Sequence, residues 1–311
     1  MKSNPLVSIV IPCYNEAGNI PHLYKKIEES VNFRNEIILV DDGSCDTTLN
    51  EIEILANEVD NLKYISFTRN FGHQNALKAG IEHSQGDCVI SMDADLQHPP
   101  ALMLKMVELW QEGYDVVNTI RKDSKNTGLV KRITSKLFYF ALNKLSEIEI
   151  KPGSADFRLI DRRVVNEIKK IKETQLFFRG LIPWMGFNQT EVSYTPNQRY
   201  SGSSKYSLKK MVKFATTGIT SFSTKPLKIA VVLGFVISLL SVAYAIYALI
   251  VYFFTEKAIS GWTSLIISIL FIGGLQITLL GVIGEYLGKL FIESKKRQSY
   301  IVNKSNINGI T

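Results

Sequence analysis

The sequence is short of cysteine and histidine, and two long stretches of it have no charge. Its three cysteines, Cys13, Cys45 and Cys88, lie singly in the N-terminal half. That spacing excludes a zinc module and a disulfide scaffold. It leaves three small side chains expected to be reduced and buried. The N-terminus has no signal-peptide build, because its first apolar run is short and has strand character. Internal repeats and low-complexity tracts are also missing.

Charge is absent over residues 229–254 and 262–284. At ~1.5 Å per helical residue, each stretch can cross a hydrocarbon core of ~30 Å. Two transmembrane helices are therefore expected. Lys205, Lys209, Lys210, Lys213, Lys225 and Lys228 precede the first stretch, and Lys289, Lys295, Lys296 and Arg297 follow the second. The short loop between them holds one Glu and one Lys. The positive-inside rule then puts both termini in the cytoplasm. The net charge of +7 follows these flanks, which fits anionic lipid and argues against nucleic acid as a partner.

With 311 residues, the chain has room for a full α/β domain besides the spans. Residues 7–11, 36–40, 62–67, 88–92 and 114–118 read as strands. Helical patterns lie between them, over 19–31, from Asp46 or Thr47 to about 58, over 74–84 and over 101–112. This alternation predicts an α/β fold with a mostly parallel sheet. The rhythm changes after Thr119. Residues 127–145 read as an amphipathic helix. Residues 155–160 are a mixed apolar segment before a helix at 161–171, and 192–194 an edge strand. Residues 198–206 form a Gly/Ser-rich loop, and 207–220 a helix suited to the membrane interface. The expected units are a catalytic domain over 1–205, an amphipathic segment over 206–228, two spans within 229–290, and a cytoplasmic basic tail over 291–311.

Residues 91–100, SMDADLQHPP, hold the chemistry. Asp93 and Asp95 sit two apart at the end of a strand, so both carboxylates face one side. Open α/β sheets bind ligands at that strand edge. Two adjacent carboxylates suit a hard cation, Mg²⁺ or Mn²⁺, that also carries phosphate oxygens. The alternative is an Asp95 helix cap with Asp93 as a turn residue. Asp42 ends the second strand, where a carboxylate can accept from sugar hydroxyls or a base N–H, although Asp-Gly also makes a plain turn.

Six motifs follow in order: IVIPCYNE at 9–16, VDDGS at 40–44, RNFG at 69–72, DADLQHPP at 93–100, ADFRLI at 155–160 and RYSGSSKY at 199–206. Together they resemble glycosyltransferase family 2, and within it the polyprenyl-phosphate sugar transferases of the bactoprenol glucosyltransferase group. The first ~200 residues, an ordinary size for one α/β unit, are also similar to dolichol-phosphate mannose synthases. The resemblance implies a GT-A-type, Rossmann-like sheet followed by an interfacial helix and two transmembrane helices. The implied location is a bacterial inner membrane, and relatives of this build form homotetramers.

The resemblance also implies roles. Pro12, Tyr14, Glu16 and Asp42 would contact the nucleoside of a UDP-sugar, although Glu16 also suits a helix start. Asp93 and Asp95 would hold metal and diphosphate, with Gln97 completing the metal shell or facing solvent. Arg199 and Lys205 flank a loop able to close over the diphosphate. Asp156 would be the catalytic base, or would orient sugar or acceptor. Arg121, Lys131 or its neighbour Arg132, and Ser135 would hold the phosphate of a polyprenyl carrier. Arg158 reads as a structural ion-pair partner and His98 as a packing residue.

The implied activity is inverting transfer of one hexose, glucose first and N-acetylglucosamine second, from UDP to undecaprenyl phosphate. A processive polysaccharide synthase is the rival. Its Gln-x-x-Arg-Trp element is not met by residues 175–179, and no Trp follows Arg179. A non-enzymatic anchor or flippase subunit is the third reading, and the intact acidic motifs argue against it.

Overall fold

The computed structural model describes residues 4–122, 140, 143–146, 151–174, 176–196, 216, 218–254 and 261–309. Among them, eight strands form one sheet: β1 (Val7–Cys13), β2 (Asn35–Asp41), β3 (Leu62–Phe67), β4 (Cys88–Ser91), β5 (Val116–Arg121), β6 (Ser154–Asp161), β7 (Gln189–Tyr194) and β8 (Val302–Ser305). The spatial order is β7-β5-β6-β4-β1-β2-β3-β8. The β4-β1-β2-β3 block is parallel, β6 runs antiparallel between β4 and β5, and β7 pairs parallel with β5. Helices α1 (Ile20–Ser30), α2 (Thr48–Glu58), α3 (His73–His83), α4 (Leu102–Gln111), α5 (Arg162–Lys170) and α6 (Phe178–Trp184) cover it.

β1 explains the layering. Its sequence VSIVIPC is buried along its whole length. A run of β-branched residues with no polar alternation needs cover on both faces. Ile9 and Ile11 join Ile20, Leu23 and Ile27 of α1, Ile52 of α2, and Met103 and Met106 of α4. Val10 lies in the opposite layer with Ala76, Leu77 and Ala79 of α3 and Val164, Val165 and Ile168 of α5. Successive residues thus feed opposite layers, as the two-residue strand period requires. Truncating one such buried isoleucine to alanine costs about 2–5 kcal/mol.

Two further helices, α7 (Lys225–Phe254) and α8 (Trp262–Ser294), are long and apolar enough to cross a membrane. Their spans Lys225–Tyr244 and Ile267–Ser294 have mean hydropathies of 2.2 and 2.1, and none of either is buried inside the protein. A soluble core helix would be covered; here Leu239, Leu240, Phe271 and Ile277 are exposed. The foot of this hairpin is bonded to the α/β unit. Thr174, after α5, donates to the Glu293 carboxylate of α8 through its N–H and hydroxyl, at 3.0–3.1 Å.

Three expectations change. Residues 291–311 are not a separate basic tail: α8 runs to Ser294, and β8 adds to the sheet antiparallel to β3. Polar residues suffice for a short edge strand, so the sequence showed no period there. Residues 155–160 are the centre of the full strand β6, with Phe157, Leu159 and Ile160 buried. Cys45 is exposed, while Cys13 and Cys88 are buried. The expected helix carrying Lys131, Arg132 and Ser135, the loop carrying Arg199 and Lys205, and most of the segment over 207–220 lie outside the described residues.

Candidate active site

The carboxyl ends of β1, β2 and β4 open on one edge of the sheet, and the loops that follow form an acidic cleft of about 270 Å³. Pro12, Tyr14 and Glu16 come from the loop after β1, Asp42 from the loop after β2, and Asp93 and Asp95 from the loop after β4. Asn70, Gly72 and His73 complete the lining from the start of α3. The first two loops are laced together. The Asn15 N–H donates to Ser44 Oγ, and the Cys45 N–H to Asn15 Oδ1, both at 2.9 Å.

The paired acids of VDDGS have separate tasks. Asp41 is turned inward, accepting from the Ser66 hydroxyl at 2.9 Å and the Ser44 N–H at 3.1 Å. Asp42 lines the cleft and also holds its rim. Its carboxylate accepts from the Phe71 N–H at 2.7 Å and the Gly72 N–H at 3.0–3.1 Å. Burial pushes its carboxyl up, and those two N–H groups offset part of the rise. This clamp gives the RNFG segment a local role. Gly43, at φ +65°, packs so close to the Arg69 backbone that a Cβ there would collide with it.

Asp156 arrives by a different route. β6 runs against its neighbours, so its beginning lies at the edge where β4 ends. The carboxylate is buried and held on several sides. Arg179 Nε and Nη2 donate to its two oxygens at 3.2 and 3.1 Å. Arg158 Nη2 donates at 3.4 Å, as does Gln74 Nε2. His73 Nε2 lies 3.7 Å from Asp156 Oδ2 and 3.5 Å from Asp93 Oδ1. Burial alone would raise the Asp156 carboxyl, but Arg179, then Arg158 and His73, hold it well below the usual carboxylate range. A carboxylate held this way is a poor proton acceptor and a firm hydrogen-bond acceptor. Arg179 and Arg158 also line a second cleft, of about 850 Å³, with Lys151 and Ser154. Asp156 thus has partners on both clefts.

Gln97 and Arg121 meet at the rim, where Arg121 Nη1 donates to Gln97 Oε1 at 3.3 Å. His98 is buried, stacks on Phe157 with centroids 4.9 Å apart, and its Nδ1 accepts from the Asp93 N–H at 3.1 Å. It therefore shapes the Asp93 turn. Among the described residues, no three His, Cys, Asp or Glu side chains form a self-contained metal cage. Asp93 and Asp95 instead offer hard oxygens facing the cleft. That donor set fits a divalent ion that brings diphosphate oxygens and water as its other ligands.

Comparison with known proteins identifies the chain. Residues 8–169 match the family model "Glycosyl transferase family 2", and residues 225–290 match "GtrB C-terminal hairpin". The chain is a member of glycosyltransferase family 2. An uncharacterized glycosyltransferase of Bacillus subtilis, YkcC, is 43% identical over 96% of this chain and 93% of its own length. A prophage bactoprenol glucosyl transferase homolog of Escherichia coli K12 is 39% identical over 96% and 98%. The bactoprenol glucosyl transferase of Shigella phage SfII is 39% identical over 96% and 98%. Among solved structures, a mannosyltransferase of Pyrobaculum calidifontis in complex with GDP-Man and Mn²⁺ is 15% identical over 92% of this chain and 88% of its own, with a TM-score of 0.46.

In this family 2 glycosyltransferase, the acidic cleft brings together Pro12, Tyr14, Glu16, Asp42, Asp93 and Asp95. Gln97 and Arg121 stand as a pair. Reading the sequence missed His73, Gln74 and Arg179. His73 and Gln74 directly follow RNFG, which was the available signal. Arg179 entered only as a poor match to a Gln-x-x-Arg-Trp element, because it reaches Asp156 through the packing of α6 on β6.

Proposed function

We propose that the enzyme transfers one hexose from a UDP-sugar to a polyprenyl phosphate at the cytoplasmic face of a bacterial inner membrane, with inversion at the anomeric carbon. The carrying observation is the acidic cleft on a domain bonded to the foot of an apolar hairpin. Relatives named bactoprenol glucosyl transferases, 39% identical over nearly the full chain, support the lipid acceptor and favour glucose as the sugar. The lysine-rich flanks of the spans support the cytoplasmic side.

In this reading, Tyr14, Glu16 and Asp42 hold the nucleoside, and Asp93 and Asp95 hold a divalent cation with the diphosphate. When bound, the cation offsets the negative charge that develops on the leaving UDP. A phosphate monoester has its second pKa near ~6, so the acceptor oxygen is already largely deprotonated at neutral pH. The reaction forms a bond from that oxygen to the anomeric carbon and breaks the carbon's bond to the UDP oxygen. No strong base is required. Asp156, fixed by Arg179 and Arg158, orients the sugar hydroxyls. Arg121 steers the acceptor phosphate, with Lys131 or Arg132 and Ser135 as further contacts, and Arg199 and Lys205 close over the diphosphate.

The test is purified protein in lipid nanodiscs with a panel of UDP-sugars and undecaprenyl phosphate. UDP release with a one-sugar lipid product is expected, strongest with UDP-glucose. A polymeric product, or no transfer from any donor, would overturn the reading.

A further inference from the structure

The chain's last segment reaches back toward the acidic cleft. After α8 ends at Ser294, residues 299–307 lie along β3. Tyr300 stacks on Phe67, with centroids 4.9 Å apart and 15° between planes. Phe67 meets Phe71 edge-on at 5.8 Å and 88°. The Phe71 N–H is one of the two that Asp42 accepts, and the Arg69 guanidinium covers the Phe71 ring at 4.0 Å. Hydrogen bonds anchor the Tyr300 end. Its hydroxyl donates to Glu82 Oε2 at 2.6 Å, and the Thr68 N–H donates to the Ile301 carbonyl at 3.1 Å. Three rings thus run unbroken from the tail to the loop that carries Asn70, Gly72 and His73 into the cleft.

The geometry points to Tyr300 as a positioning residue for the nucleotide: through Phe67 and Phe71 it sets the loop over 69–73. This rests on the acidic cleft being the nucleotide-sugar site. No described residue of the tail lines the cleft, so the effect is indirect. Stacked and edge-on rings are rigid and directional, so losing one frees the next to turn. The loop then keeps the Asp42 clamp but loses the support beneath Phe71.

The experiment uses the full-length protein in detergent, with UDP and Mg²⁺ as the probe in titration calorimetry. Tyr300→Ala and Tyr300→Leu are expected to raise the UDP Kd about five- to tenfold, the scale of one lost aromatic contact. Tyr300→Phe keeps the rings and should bind as wild type. In turnover, the donor KM should rise to match, with the acceptor KM unchanged and kcat within about twofold. Lys304→Ala, which removes only the exposed pair with Glu53, serves as a control. If wild type binds UDP and both substitutions leave its Kd unchanged, this inference is overturned and the transferase reading stands. A parallel change in both KM values and kcat also overturns it, as general loosening. If neither wild type nor variant binds UDP, both readings are overturned.

Discussion

Arg179 grips Asp156 side-on, its Nε and Nη2 each donating to a different carboxylate oxygen at 3.2 and 3.1 Å. A flat guanidinium fork matches a carboxylate in this way and a lysine ammonium does not. Arg158 and Gln74 still reach Asp156 when Arg179 is removed, so the cost falls below the ~3–5 kcal/mol of a buried charge left with no partner. Arg179→Ala should therefore lower both Tm and kcat, and Arg179→Lys should recover more of the Tm than of the kcat. Calorimetry beside steady-state kinetics checks this; a fully active Arg179→Ala would remove Arg179 from the site.

The state of Asp156 makes a pH prediction. Its folded carboxyl lies below the ordinary unfolded value of about 3.9. Below that value the unfolded chain binds the extra proton, so stability rises with pH there. The pair's contribution is complete above the unfolded value and is lost only as pH falls toward the folded one. Hence the rate profile between about pH 5 and 9 should show no limb from Asp156. A limb near neutral pH that disappears in Asp156→Asn would instead make it the base.

Asp93 and Asp95 predict metal dependence. Chelation should abolish transfer, and added Mg²⁺ or Mn²⁺ should restore it. Asp95→Asn should lose about 100-fold or more in kcat even with excess Mn²⁺, the scale of removing one charge-stabilising group. Full turnover in chelator would sink the cation argument.

Arg121, bonded to Gln97, offers a test that distinguishes the acceptor from the donor. Arg121→Ala should raise the KM for polyprenyl phosphate more than that for the UDP-sugar. Initial rates over a grid of both substrates decide it, and an unchanged acceptor KM would refute the assignment.

Gly43 tests the clamp at the rim. A left-handed backbone costs an L residue about 1–2 kcal/mol before any collision. Gly43→Ala should thus lower the Tm by several degrees, roughly 2–4 °C per kcal/mol for a domain of this size. It should also weaken UDP binding. A variant with wild-type Tm and affinity would show that the turn has another conformation open to it.

The sequence by itself determined the sheet's parallel core, the layered cover and the two long apolar helices. These are local properties: the β-branched run of β1, the apolar spacing of the helices and the missing charge of the spans register residue by residue. It also pointed to Asp42, Asp93 and Asp95 as cleft residues, because Asp42 follows directly on β2 and Asp93 and Asp95 sit in the loop after β4. Only the tertiary structure decided the rest. Asp156 comes beside His73 at the edge where β4 ends because β6 runs backwards, and strand direction is not written in an apolar run. Arg179 meets Asp156 through the docking of a short helix on the sheet, and Tyr300 meets Phe67 across 232 intervening positions. Such contacts depend on how separate elements pack, and no local period encodes that.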